Sequence, residues 1–333
     1  MTSVDPEISV VIPVYNEVRT LAELAGRLTA ALDGCGVSFE AIFVDDGSQD
    51  GALATLRALN AADRRMTAIS LSRNFGKEVA IAAGLDAARG RAVVIMDADL
   101  QHPPEVAPLF IEKWREGYKN VYGERKDRSA DGRTRKVLTR LFYRILDMLG
   151  EVTLPQGWGD FRLLDRQAVE ALKAMPERAR FTKGLYAWIG FRTIAVPFDM
   201  PERSAGASKY DYRKLARFAL DGLLSFSSIP LKLWTWMGLA ISGFALAMAA
   251  YFFIRTVLFG VDVPGYPSLI VSIAFFAGVQ LISLGVLGEY VARIFNEVKG
   301  RPLYLVAERV GRDESGDAGG DGRIPRAPNL PRS

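Results

Sequence analysis

Residues 8–13 (ISVVIP), 39–44 (FEAIFV), 67–72 (TAISLS) and 91–96 (RAVVIM) are four short apolar runs, each bounded by polar turn residues. Continuous apolar runs of this length, rich in β-branched residues, predict strands buried on both faces, as in a parallel sheet. Between them lie stretches with helical spacing at about 19–32, 51–60 and 76–88. The first is amphipathic, and Asp50 is placed to cap the second. Strand alternating with helix predicts an α/β fold with a doubly wound, mostly parallel sheet. Ligands of such sheets bind beyond the carboxyl ends of the strands. Acids gather at three of those ends: Glu17, Asp45 with Asp46, and Asp97 with Asp99.

The C-terminal third follows another pattern. Residues 233–254 and 268–288 carry no charged side chain, and each run is long enough to cross a bilayer as a helix. Trp234, Trp236, Tyr251, Tyr266 and Tyr290 lie near the ends of these runs, where interfacial aromatics belong. The loop 256–267 carries Asp262 and no Lys or Arg. Arg213, Lys214, Arg217 and Lys232 precede the first span, and Arg293, Lys299 and Arg301 follow the second. The positive-inside rule then expects both termini, and the large N-terminal domain, in the cytoplasm.

Two further segments are amphipathic. In 132–150, Arg133, Lys136, Arg140 and Arg144 recur at spacings of 3, 4 and 4, while Val137, Leu141, Ile145 and Leu149 form an apolar stripe. That is the pattern of a helix lying in a membrane interface; a surface helix packed on the domain is the plain alternative. Residues 212–226 lead into the first span as a second such element. The expected organisation is a domain over 1–211, a juxtamembrane helix over 212–231 and two transmembrane helices within 232–290. A cytoplasmic segment over 291–311 and a disordered tail over 312–333, rich in Gly, Pro, Asp and Arg, complete it.

Composition narrows the chemistry. The 333 residues include one cysteine, Cys35, and one histidine, His102. Structural disulfides and Cys/His zinc sites are therefore excluded. No GxGxxG or GxxxxGK[ST] occurs, so nicotinamide-dinucleotide and P-loop sites drop out. The N-terminus opens without a basic run, so no secretory signal is expected, and nothing in the pattern points to nucleic acid. What remains is carboxylates, a metal, Arg and Lys. Two acids at i and i+2 off a strand end, with Gln101 two residues on, suit a hard divalent cation held against a diphosphate; a solvated acidic turn is the competing reading. His102 lies in LQHPP, where a structural hydrogen bond is favoured over proton transfer.

Taken in order, VVIPVYNE (10–17), FVDDGSQD (43–50), SRNFGKE (72–78), MDADLQHPPE (96–105), Phe161-Arg162, RSAGASKY (203–210) and GEYVARIFNEVKGRPLY (288–304) resemble the inverting GT-A glycosyltransferases of the family-2 type. The chain is most similar to the polyprenyl-phosphate glycosyltransferases, a group that includes dolichol-phosphate mannose synthases and bacterial undecaprenyl-phosphate glucosyltransferases, in their branch with two membrane helices. It lacks the QxxRW motif of processive members, so the resemblance implies transfer of a single sugar.

The resemblance also implies roles. Asp97, Asp99 and Gln101 would hold Mg²⁺ or Mn²⁺. Pro13, Tyr15, Glu17, Asp45, Asp46, Ala98, Arg203 and Lys209 would bind the nucleotide sugar; for Asp45, capping of the turn after the second strand is the alternative. Arg125, Arg133, Lys136 and Arg140 would meet the acceptor phosphate, and Asp160 would be the catalytic acid residue, as a base or a positioning group. The implied donor is UDP-glucose, with UDP-formamido-arabinose, another UDP-hexose and GDP-mannose open. The implied acceptor is undecaprenyl phosphate in the lipid bilayer of the bacterial inner membrane, as a step in surface glycan or lipopolysaccharide modification. The Gly and Ala content of the spans permits close helix contact, so a homo-oligomer is compatible with them. A non-catalytic membrane scaffold would be expected to have lost an acid or an acceptor arginine, and this chain keeps both.

Overall fold

The computed structural model describes residues 5–125, 159–175, 177, 182–199 and 265–311, with scattered positions between 236 and 258. The four expected strands form as β1 (Ile8–Val14), β2 (Phe39–Asp45), β3 (Met66–Leu71) and β4 (Ala92–Ile95). The helices between them are α1 (Leu21–Asp33), α2 (Ala52–Ala62) and α3 (Lys77–Ala87), close to their expected spans. The N-cap of α2 is Gly51, in the left-handed region, rather than Asp50. Asp50 stands one residue earlier and accepts the Ala52 amide at 3.1 Å on one oxygen and the Val18 amide at 2.9 Å on the other.

Parallel pairing of β4 with β1, β1 with β2 and β2 with β3 builds the centre of the sheet. Successive side chains point to opposite faces, and here both faces are covered. Ile8, Val10 and Ile12 of β1 and Phe43 of β2 pack with α1 and α4 (Ala107–Arg115). Val11, Ile42, Val44, Val93 and Ile95 pack on the opposite face with α3 and α5 (Arg166–Lys173). Burial on both faces is why these strands read as unbroken apolar runs.

The rest of the sheet was not legible as strands. β5 (Asn120–Arg125), β6 (Arg162–Asp165) and β7 (Thr193–Phe198) extend one side, and α6 (Thr182–Trp188) precedes β7. β6 inserts antiparallel between β4 and β5, and β7 runs parallel to β5. β5 therefore points the same way as β4, and the start of β6 lies at the same edge as the end of β4.

On the far side, α7 (Tyr266–Val298) leads into β8 (Val306–Val310), which pairs antiparallel with β3. The complete order is β7-β5-β6-β4-β1-β2-β3-β8. Residues 306–310 thus complete the sheet of the N-terminal domain, and α7 runs unbroken through residue 290. Tyr304 donates to Asp86 at 2.9 Å, and the Ser72 amide donates to the Leu305 carbonyl at 2.9 Å. β8 thus enters at the carboxyl end of β3, where Val306 stands opposite Leu71.

Among the described residues one helix, α7, is long and apolar enough to cross a membrane, over Phe275–Val298. Leu281, Ile282, Leu284 and Ile294 are all more than half exposed, whereas a core helix of that composition would bury them. Described positions between 236 and 258 are helical, but the first expected span as a whole lies outside the described residues. So do the amphipathic segments 132–150 and 212–231 and the tail 312–333.

Candidate active site

The loops leaving β1, β2, β3 and β4 converge at one edge, and each contains a residue with positive φ: Asn16, Gly47 with Gly51, Gly76 and Leu100. Asn16 and Leu100 are the non-glycine residues so placed, and for Leu100 this conformation costs about 1–2 kcal/mol. It is retained where the chain turns after the two acids: the Gln101 amide donates back to Asp99 Oδ1 at 3.0 Å.

Asp45 and Asp46 hold these loops together. Asp45 is buried; it accepts the Ser48 amide at 3.0 Å and the Ser70 hydroxyl at 2.8 Å. Asp46, equally buried, accepts the amides of Phe75 at 2.7 Å and Gly76 at 2.8 Å, fixing the entry to α3. Burial pushes the Asp46 carboxyl above its ordinary range, against the opposing pull of those two amides. Each of these four oxygens accepts one hydrogen bond from the protein's own loops, and the Ser48 contact is the turn capping expected of Asp45. Gly47 lies between them at φ +71°, and a Cβ there would stand 2.7 Å from the backbone of Arg73 and Asn74.

The centre of the edge is a three-residue ionic contact. Lys77, first residue of α3, places Nζ 2.7 Å from Asp97 Oδ1, 2.9 Å from Asp97 Oδ2 and 2.9 Å from Asp160 Oδ2. Asp160 reaches this point because it immediately precedes the antiparallel β6. Its turn is held by Arg162, which donates to the Gly159 carbonyl at 2.6 Å and stacks its guanidinium 3.5 Å from the Tyr186 ring centre. Burial would raise the Asp160 carboxyl, but Lys77 and then Lys183 hold it down to about 2. Burial likewise opposes the Lys77 charge, yet Asp160 and Asp97 keep its pKa above the ordinary lysine value. Asp160 Oδ1 is buried and has no hydrogen-bond partner among the described residues.

His102 completes the framework. Its Nδ1 accepts the Asp97 amide at 3.0 Å, and its ring stacks on Phe161 at 4.7 Å. Nδ1 also lies 3.7 Å from Asp97 Oδ2. As an acceptor of an amide proton it carries no charge, and burial lowers its pKa further, so this contact is no ion pair.

Hard oxygens in this arrangement suit Mg²⁺ or Mn²⁺. Glu17, from the loop after β1, is raised above its ordinary value by burial and then by the nearby charges of Asp99, Asp50 and Asp97. Among the described residues no three acid, His or Cys side chains converge into a cage. A cation here would have to take most of its ligands from a substrate, as a diphosphate-bound ion does.

Residues 9–173 match the model of glycosyl transferase family 2. An uncharacterized glycosyltransferase of Synechocystis is 48% identical over 302 residues, which cover 91% of this chain and 95% of that protein. The chain belongs to glycosyl transferase family 2. An SfII prophage-derived bactoprenol glucosyl transferase of Shigella flexneri is 43% identical, over 90% of this chain and 97% of its own length. The crystal structure of glucosyl-3-phosphoglycerate synthase from Mycobacterium tuberculosis, with Mn²⁺, UDP and phosphoglyceric acid, is similar with a TM-score of 0.48 and 20% identity, covering 66% of this chain and 76% of that one.

In this glycosyltransferase the GT-A-like sheet brings Glu17, Asp97, Asp99, Gln101 and Asp160 to one edge. Pro13 is partly exposed and Tyr15 is 49% exposed at the rim. Ala98 is buried in the core, so only its backbone faces the edge. Arg125 ends β5, exposed, two strand spacings or about 10 Å across the sheet from β4. Arg133, Lys136, Arg140, Arg203 and Lys209 lie outside the described residues. Sequence reasoning assigned no role to Lys77; a lysine just after a glycine at a strand-to-helix turn was the available signal. Arg162 was quoted as a motif but given no task.

Proposed function

We propose that this glycosyltransferase moves one glucose from UDP-glucose to undecaprenyl phosphate at the cytoplasmic face of the bacterial inner membrane, with inversion at the anomeric carbon. The observation that carries the reading is the meeting of Asp97 and Asp160 on one lysine, which puts an acid suited to the donor's diphosphate beside an acid with a free buried oxygen. The names of the Shigella relatives support both glucose and a bactoprenol acceptor. The exposed apolar helix α7, rejoining the sheet through β8 at the same edge as the carboxylates, supports access to a lipid-borne phosphate. Together with the span at 233–254 it would form a two-helix anchor with both termini in the cytoplasm.

Asp97, Asp99 and Gln101 would hold Mg²⁺ or Mn²⁺, a Lewis acid that takes up charge on the departing nucleoside diphosphate. Tyr15 and Glu17 line the rim for the nucleotide, on a floor stiffened by Asp45 and Asp46. Arg125, together with Arg133, Lys136 and Arg140, would meet the acceptor phosphate. That phosphate needs no strong base, since a monoester with a second pKa of about 6 is already largely dianionic at neutral pH. Asp160, held near 2, is a poor proton acceptor. Its carboxylate orients the acceptor and stabilises positive charge developing at the anomeric carbon. Arg203 and Lys209 would close over the diphosphate once it is bound.

The test is radiolabel transfer from UDP-glucose into the lipid phase with undecaprenyl phosphate in detergent, with either metal, beside Asp99→Ala. Metal-dependent label in lipid, lost in the variant, supports the reading. Label that stays in the aqueous phase rejects UDP-glucose, and failure across a panel of other nucleotide sugars rejects the acceptor as well.

A further inference from the structure

We propose that Lys77 is a positioning residue that occupies the cation locus of Asp97 until a divalent ion takes it, remaining on Asp160 thereafter. The inference rests on the reading of Asp97 given above. The Lys77 ammonium donates hydrogen bonds to Asp97 Oδ2 and Asp160 Oδ2, each at 2.9 Å, and lies 2.7 Å from Asp97 Oδ1 as a charge contact. Asp97 Oδ1 has no hydrogen-bond partner among the described residues, so the ammonium is its one counter-charge there. A hard cation binds carboxylate oxygens at 2.0–2.6 Å, on the same atoms. Two cations in contact with one carboxylate repel strongly, so occupancy of Asp97 is exclusive.

Lys77 is built to yield. Its side chain is 42% exposed on a flexible four-carbon stem, it begins α3 directly after Gly76 at φ +101°, and Asp160, at 14% exposure, offers a second and more sheltered partner. Without the metal, the ammonium prevents two adjacent carboxylates from repelling each other. With the metal, the displaced ammonium stays on Asp160 and keeps that side chain pointing at the gap between donor and acceptor. The two acids are thereby coupled through one cation.

Mn²⁺ titration of the full chain in detergent, followed by electron paramagnetic resonance with and without UDP, tests this. Lys77→Met keeps the aliphatic stem and removes the competitor, and Lys77→Gln serves if that variant does not fold. The expected result is Mn²⁺ binding tighter by about fivefold without nucleotide, the factor expected for loss of one partly exposed ion pair. At the same time kcat falls more than the donor KM changes, and Lys77→Arg restores weak Mn²⁺ binding. An Mn²⁺ affinity in Lys77→Met or Lys77→Gln equal to or weaker than that of the native chain would overturn the competition. If the native chain itself bound no Mn²⁺ even with UDP present, the metal-holding role of Asp97 would fall, a separate and recognisable failure that takes the proposal with it.

Discussion

The lone histidine, His102, accepts a hydrogen bond from the backbone amide of Asp97 at 3.0 Å while its ring lies flat on Phe161. The contact joins the turn after β4 to the start of β6, the two segments that carry Asp97 and Asp160. His102 therefore works as a neutral strut for the backbone.

A strut and a base respond differently to substitution. His102→Asn keeps an acceptor near the Asp97 amide and should retain a measurable fraction of transfer activity. His102→Ala loses the acceptor and leaves a void against Phe161 and Phe198, costing about 2–4 kcal/mol of stability and most of the activity. Equal, complete loss of activity in two folded variants would argue for proton transfer instead. The checks are thermal unfolding and the lipid-transfer assay.

Gly47→Ala is expected to be among the costliest small changes. The residue sits at φ +71°, and the added methyl would meet the Arg73–Asn74 backbone at 2.7 Å. The conformational term alone is about 1–2 kcal/mol, and a backbone clash cannot be relieved by a rotamer change. The measurement is the urea midpoint, with donor KM as the readout for displacement of the Asp46–Gly76 contact.

The strand β8 predicts a contrast. Arg57 and Glu308 pair at 2.6 Å, but their side chains are 54% and 39% exposed, so Arg57→Ala should cost no more than about 1 kcal/mol. A chain ended at Arg301 loses β8 altogether, baring the edge of β3 beside Ile69 and Leu71. Unprotected edges promote association, so this truncation should lower the unfolding midpoint and aggregate, whereas Arg57→Ala should not.

Acid stability has a defined sign. Hydrogen bonds from Arg27 hold Glu105 below the usual carboxylate range, and Arg65 does the same for Asp63. A carboxylate with a depressed folded-state pKa contributes stability above its unfolded value, about 4.3 for Glu, and loses it as pH falls toward the folded value. The contribution of these two carboxylates should be nearly flat from pH 7 to 5 and fall below about 4.5, whereas Asp46 and Glu17, raised in the folded protein, contribute with the opposite sign. Glu105→Gln, which cannot titrate, should start lower and fall less over that range.

Much of the centre of the sheet was legible because its signals are local. β1 to β4 are apolar runs ended by turn residues, and Asp50 bonds the Ala52 amide only two residues on. The acids Glu17, Asp97 and Asp99 were legible because they follow those runs directly. The loop contacts of Asp45 and Asp46 were only partly legible: capping of the turn after β2 is local, but the partners Ser70 and Gly76 lie 25 and 30 residues away. β5 to β8 mix polar residues into their runs (NVYGER, RLLD, TIAVPF, VAERV), and each pairs with a strand distant in sequence.

From its sequence alone this protein is a family-2 glycosyltransferase by its motifs, with an alternating α/β core and two apolar spans, because hydrophobic period and turn chemistry act over a few residues. Tertiary structure alone decided that Asp160 meets Asp97, since that depends on β6 inserting antiparallel between β4 and β5. It also decided that Lys77 bridges partners 20 and 83 residues away and that residues after the long apolar helix α7 close the edge of the first domain's sheet. No local pattern encodes those contacts; each exists because burying the strands in this order leaves their loop ends, and the charges on them, nowhere else to go.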